Sequence, residues 1–164
     1  MIWYKDLLFY IISLSVIICD QVTKSLIKEF VPRYSAWPDE GVFRIVHGVN
    51  TGSAFGLFSD YTLLLTIGSL IGIGFVLYFF YKNSFDVIWM RISLGLIIGG
   101  AFGNLIDRIR DGGVVDFISV GWWPAFNIAD SAISIGIVIL IFTLMFGEKL
   151  GWYSVSKDKD IDID

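Results

Sequence analysis

The sequence specifies an all-α membrane protein: four transmembrane helices with a small β-containing extracytoplasmic cap between helices 1 and 2. Composition is the first reason. The chain of 164 residues is 55% hydrophobic and 17% charged, where a soluble domain carries roughly 25% charged residues. Mean hydropathy, at +0.72, is the second. The third is segmentation: four apolar stretches, each long enough for a helix to cross a bilayer, alternate with polar connections. These runs are too long and too little alternating for barrel strands, and lipid admits no other spanning backbone.

The first helix is expected over residues 7–27, an apolar run interrupted by Asp20 and Lys24. Its stretch from Leu7 to Cys19 has the length of a signal-peptide core. No small-x-small cleavage site follows it, and Ile18 precedes Cys19 where a lipoprotein signal needs a small residue. The helical pattern also continues through DQVTKSLIKEF, so the segment reads as retained. The second helix, 61–81, has 21 residues without a charge, about 30 Å of helix. The third is expected over 87–109 and the fourth over 126–146, all within one membrane domain, 1–164.

The connection over 31–58 holds prolines, glycines and short β-type runs such as VFRIV, the reason for the cap. KNSFD reads as a tight turn between the second and third helices. The connection from Asp111 to Ala125 reads as a surface loop, and its GWWP suits a membrane interface. Residues 148–164 read as a polar, frayed tail. Four crossings put both termini on one side. Lys and Arg divide six to six between the two sides; embedding Lys24 and Arg108 tips the balance toward cytoplasmic termini. Gly95, Gly99 and Gly103 repeat at four-residue spacing, as do Gly68 and Gly72, which is the spacing of close helix packing in lipid.

Several functions are excluded at this level. No basic cluster offers a nucleic-acid surface, and four of the sixteen acids lie in the tail KDKDIDID. Cys19 is the only cysteine and His47 the only histidine, so neither a disulfide nor a cysteine or HExxH metal site is expected, and no cofactor. Walker A and GxSG strings are absent, and GIG at 72–74 is followed by Phe75 rather than the Asp of a GxGD protease.

Charged groups inside membrane helices are costly, and here they cluster. Asp20 and Lys24 stand four apart, as in an intrahelical ion pair. Asn104, Asp107, Arg108 and Asp111 share one face; Arg108 could pair Asp107 or Asp111, or reach for the interface. Asn127, Asp130, Ser131 and Ser134 share a face of the fourth helix. Asp116 precedes Asp130 by fourteen residues. If the loop folds back, the two carboxylates meet, hold one proton between them and can activate a water in the manner of an aspartic protease. The alternative stays open: Asp116 as a loop acid and Asp130 as a helix cap. A small transporter or scaffold whose polar clusters line a pathway is equally compatible with spacing alone.

DQVTK at 20–24, NTGSAFG at 50–56, GNLIDR at 103–108, VVDF at 114–117 and FNIADSAIS at 126–134 together resemble the motifs of bacterial lipoprotein signal peptidase, signal peptidase II, in order and spacing. The resemblance covers nearly everything before the tail. It implies an intramembrane aspartyl endopeptidase of the bacterial cytoplasmic (inner) membrane, multi-pass, with both termini cytoplasmic and the active site near the outer leaflet. It implies cleavage of prolipoprotein signal peptides before a diacylglyceryl-modified cysteine, and inhibition by cyclic peptide antibiotics. Carried over by motif, Asp116 and Asp130 are catalytic. Asn50, Gly52, Asn104, Arg108, Asn127 and Ala129 line or support the substrate pocket, and Asp20 and Lys24 help hold the site together. The chain departs mildly at Ser53, where many members have alanine, and its loop between the two aspartates is shorter than in many members.

Overall fold

The computed structural model describes residues 7–52, 62–82 and 87–152. Four helices run through it: α1 (Leu7–Phe30), α2 (Thr62–Lys82), α3 (Ile88–Asp111) and α4 (Ile128–Phe146). Each is long and apolar enough to cross a membrane. Their outward faces carry exposed Leu, Ile, Val and Phe, such as Leu63, Ile71, Phe75 and Val138, which in water would be a liability and in lipid is the favourable arrangement. The residues of the expected KNSFD turn from 83 to 86, the cap from 53 to 58 and the tail from 153 onward lie outside the described residues.

α3 is the hub, packing against α1, α2 and α4. Its glycines explain how. A Cβ on Gly99 would stand 2.7 Å from the Ser13 carbonyl oxygen of α1, and one on Gly103 would stand 2.7 Å from Asp20 Oδ2. Side chains there would push α1 away, so the expected close-packing stripe is real for Gly95, Gly99 and Gly103. For Gly68 and Gly72 it is not: nothing lies within 4 Å of a Cβ built on either. That face of α2 borders a cavity instead of a helix. The apolar core adjoins it, a cluster of Phe9, Ile73, Phe80, Met90, Leu94, Ile98 and Leu105 in which Phe9 stacks on Phe80.

Four antiparallel strands cap the end of the bundle away from Leu7 and Phe146: β1 (Ala36–Trp37), β2 (Phe43–Asn50), β3 (Val114–Val120) and β4 (Trp123–Phe126), in spatial order β1-β2-β3-β4. Half of this sheet corrects the sequence expectation. The connection after α3 is a strand pair rather than a surface loop, so the cap is built from both long connections. VVDFISV is rich in β-branched and aromatic residues and pairs with FRIVHGVN, Gly48 opposite Asp116 and Asn50 opposite Val114. Gly112 makes the switch from helix to strand. It ends α3 in the left-handed region at φ 71°, with its N–H bonded to the Arg108 carbonyl, a conformation that glycine adopts without steric cost.

Candidate active site

The cap and the bundle meet where Asn50, Asn104, Asp116, Asn127 and Asp130 converge. Asp116 stands on β3, 5% exposed. Asp130 is the third residue of α4 and half-buried. Asn127, expected on the face of the fourth helix, is instead the residue that caps it. Its side chain accepts from the Asp130 N–H while the Asp130 carboxylate accepts from the Asn127 N–H, a reciprocal capping box. The same Asn127 donates Nδ2 to Asp116 Oδ1 at 2.8 Å. One amide therefore joins both aspartates. The capping alternative for Asp130 and the convergence of the two acids both hold, because the cap itself brings the acids together.

Each remaining carboxylate oxygen has a donor. Asn50 Nδ2 donates to Asp116 Oδ2 at 3.0 Å, and Asn50 Oδ1 accepts from the Gly52 N–H at 2.9 Å, which fixes the amide's orientation. Asn104 Nδ2 donates to Asp130 Oδ1 at 2.8 Å. Asp130 also lies in the first turn of α4, where the helix dipole favours negative charge. Asp116 has no such advantage. Burial, then the neighbouring Asp130 charge, raises its pKa from 3.8 to about 6, against the opposing pull of the Asn50 and Asn127 hydrogen bonds and of Lys24.

Beneath the pair lies a buried ionic group. The Lys24 ammonium, fully buried, reaches Asp20 Oδ2 at 2.7 Å and Asp107 Oδ2 at 3.0 Å, and Asn104 Oδ1 at 3.0 Å. Its three hydrogens are thus all used. Asp20 Oδ1 accepts from the Ala129 N–H at 3.0 Å, and Asp107 Oδ2 accepts from the Val115 N–H at 3.3 Å. The expected Asp20–Lys24 pair exists, but it is part of a triad. Asp107 and Gln21 are the residues that motif spacing left without a role. Gln21 Nε2 donates to Asp107 Oδ1 at 2.9 Å and to the Gly103 carbonyl at 3.1 Å. The one available signal was that Asp107 shares a helical face with Asn104.

Arg108 pairs with neither Asp107 nor Asp111. Those acids are taken by Arg110, at 3.5 Å and 3.0 Å, and Asp111 also by Lys28. Arg108 instead points the other way, its Nη1 3.4 Å from Ser69 Oγ on α2. There it borders a cavity of about 620 Å³ between α2, α3 and α4. The walls are apolar, with Gly68 and Gly72 on one side; Asn104, Arg108 and Asp130 supply the polar groups. Ala129 is fully buried under Gly103, so it supports the site and does not line the cavity. Among the described residues, no group of three His, Cys, Asp or Glu is arranged to ligate a metal.

Known proteins share this arrangement of chain. A family model described as signal peptidase (SPase) II matches residues 12–146. A lipoprotein signal peptidase of Halothermothrix orenii is 41% identical over 143 residues, covering 87% of this chain and 98% of that protein. Another, of Syntrophus aciditrophicus, is 39% identical over 156 residues, 88% of this chain and 97% of its own. Among solved structures, a bacterial membrane enzyme determined by the in meso method at 2.3 Å resolution superposes with a TM-score of 0.77 at 32% identity, over 90% of this chain and 92% of that one. The matched span runs from within α1 to the last residue of α4 and takes in every residue of the polar centre, and on that extent of likeness the chain belongs to the signal peptidase II family of membrane proteases.

Proposed function

We propose that this chain is a prolipoprotein signal peptidase working by an aspartyl mechanism, with Asp116 and Asp130 as its catalytic residues. The observation that carries the reading is Asn127, whose side-chain Nδ2 donates to the Asp116 carboxylate and whose backbone N–H donates to the Asp130 carboxylate, beside an apolar cavity that Asp130 lines. Two acids so joined, one of them with its pKa lifted to about 6, hold one proton between them up to about that pH in the free enzyme. The ionised member takes a proton from water as the water oxygen attacks the scissile carbonyl carbon. The protonated member donates to the carbonyl oxygen. Collapse of the tetrahedral intermediate breaks the C–N bond: the proton now on the first acid passes to the leaving amine, and the second acid takes back a hydroxyl proton as the carbonyl re-forms.

The substrate is a lipoprotein precursor, the class that the relatives' names specify, cut before its diacylglyceryl-modified cysteine. The cavity suits such a ligand: its walls are hydrocarbon, and Asn104 and Arg108 present amide and guanidinium groups to a peptide whose backbone cannot stay unpaired in lipid. A cyclic peptide antibiotic occupying the same cavity would block Asp130. The capped end of the bundle lies at the outer leaflet of the bacterial cytoplasmic membrane, and both termini are cytoplasmic. Purified protein incubated with a diacylglyceryl-modified precursor peptide should release a signal peptide of defined mass. Asp116→Asn and Asp130→Asn should each release none while retaining the wild-type unfolding temperature within a few degrees. Turnover by either variant at more than about 1% of wild type would rule out the mechanism, since loss of an essential catalytic group costs several orders of magnitude.

A further inference from the structure

We infer that Asp107 is a positioning residue for the reaction: by holding the Val115 N–H, it sets the depth at which β3 presents Asp116. The inference rests on Asp116 being catalytic. Its starting point is an imbalance in the buried ionic group. Lys24 is fully buried and already meets Asp20 at 2.7 Å. One carboxylate neutralises one ammonium. A second, Asp107, is also fully buried, and an extra buried anion costs several kcal/mol of desolvation unless its contacts offset it.

The contacts of the two acids explain why both are present. Asp20 spends one oxygen on Lys24 and the other on the Ala129 N–H. Asp107 Oδ2 lies between Lys24 and the Val115 N–H. Ala129 immediately precedes Asp130, and Val115 immediately precedes Asp116. One ammonium thus anchors two carboxylates, and each carboxylate grips the peptide next to one member of the catalytic pair. The two grips lie on different helices and reach different elements, α4 from α1 and β3 from α3. Lys24 and Gln21 tie them together, Gln21 by donating to Asp107 Oδ1 and lying 3.3 Å from Asp20 Oδ2. Arg110, at 3.5 Å from Asp107 Oδ1, brings a second positive charge from the rim.

β3 is also held here by β2, in continuous register from Val114 to Asp116, and by Asn127 Nδ2, which donates to the Val115 carbonyl at 3.3 Å. Its register with β2 is irregular between Ile45 and Gly48, the residue opposite Asp116. The ladder is disrupted and the strand bends at such an irregularity, so a contact from the bundle adds a fixed point beside it. Asp107, near the end of a rigid helix and eight residues upstream of Val115, provides one.

The experiment uses the full-length protein in micelles and compares Asp107→Ala with Asp107→Asn. Asn keeps an acceptor for the Val115 N–H; Ala removes it. In both variants Lys24 retains Asp20, so no buried charge is left unpaired. Two readouts separate positioning from mere support. The first is hydrogen exchange of the peptide containing Val115, which needs no substrate. The second is the division of any kinetic effect between kcat and KM. Asp107→Ala should speed exchange at Val115 and lower kcat about a hundredfold, the cost of misplacing a reacting group by about 1 Å, with KM changed less than about threefold. Asp107→Asn should recover most of both. Unchanged exchange at Val115 in Asp107→Ala would overturn the inference, as would equal kcat in the two variants. Should the Ala variant fail to fold, Asp107→Asn against Asp107→Leu carries the same comparison. If Asp116→Asn proved active, the catalytic reading would fail by itself, while the exchange result would still report whether Asp107 fixes β3.

Discussion

Lys24 and Asn104 are joined by a 3.0 Å hydrogen bond from ammonium to amide oxygen, and that contact decides which end of Asn104 faces Asp130. An ammonium can only donate, so the oxygen of Asn104 must turn toward it. The nitrogen then points at Asp130 Oδ1, 2.8 Å away. Lys24 reaches the other acid too, through Asp107 and the Val115 backbone. A residue that touches neither Asp116 nor Asp130 by its side chain orients the groups around both.

Removing that charge should therefore be severe. Lys24→Met leaves Asp20 and Asp107 buried without their shared cation, and breaking a buried pair in this way costs about 3–5 kcal/mol. The unfolding temperature in micelles should fall by many degrees, and Lys24→Arg should rescue it poorly, because a planar fork cannot replace three tetrahedral donors. A Met variant as stable as wild type would mean that the shared cation is dispensable to the fold.

Asn127 offers a way to separate stability from chemistry. Asn127→Ser keeps a good N-cap, so the helix should lose only a few tenths of a kcal/mol, whereas Asn127→Ala should lose about 1 kcal/mol. Neither retains the 2.8 Å donor to Asp116. Both should therefore lose activity to a similar extent while differing in unfolding temperature. If the Ser variant kept wild-type turnover, the bridge between the two acids would be dispensable.

The raised pKa of Asp116 gives a pH dependence with a definite sign. The folded value of about 6 lies above the ordinary aspartate value of 3.8. Between them the native protein holds a proton that the unfolded chain has released. This residue's contribution to stability therefore falls as pH rises through that window, by about 3 kcal/mol in all, and is level above it. In kinetics, the descending limb of kcat/KM should begin near 6, where the shared proton leaves the free enzyme. A bound substrate displaces water and deepens the desolvation, so the limb of kcat should lie higher. Profiles recorded from about pH 4 to 9 test both statements; coincident limbs would contradict the second.

The four helices were legible because burial in lipid leaves an unmistakable mark, twenty or so apolar residues in a row. The β1–β2 half of the cap was legible from VFRIV. The β3–β4 half was not, although Gly112, Gly113 and Gly121 bracket a run rich in Val, Phe and Ile. The tryptophans of GWWP drew attention to the interface, and seven strand residues carry little periodicity of their own. For the site, motif resemblance named Asp20, Lys24, Asn50, Asn104, Asn127 and Asp130, and the structure gathers them around Asp116. It could not name the partners of Arg108, since two acids within one turn made a local pair look natural. In the folded chain Arg110, not Arg108, faces those acids. Asp107 escaped because Lys24 and Gln21 on α1 and the Val115 N–H on β3 reach it from other elements, contacts to which no pattern within α3 points.

The two sets of glycines, alike in sequence, should behave in opposite ways. Gly99→Ala places a methyl 2.7 Å from the Ser13 carbonyl and 2.8 Å from Val16 Cβ. Neither the α1 backbone nor a β-branched side chain can yield easily, so the cost should be about 1–3 kcal/mol, the usual penalty of overpacking. A Cβ on Gly72 meets nothing within 4 Å, so Gly72→Leu starts into open space. Replacing a glycine inside a helix favours that helix by up to about 1 kcal/mol, so the variant should be as stable as wild type or slightly more so. Its side chain, however, enters the cavity of about 620 Å³ that Asp130 and Arg108 border. If a precursor peptide occupies that cavity, KM should rise several-fold in Gly72→Leu and remain unchanged in Gly99→Ala. Steady-state kinetics and thermal unfolding on the same two preparations decide the matter. A Gly72→Leu enzyme with wild-type KM would place the substrate elsewhere, since no peptide could ignore a leucine built into its berth.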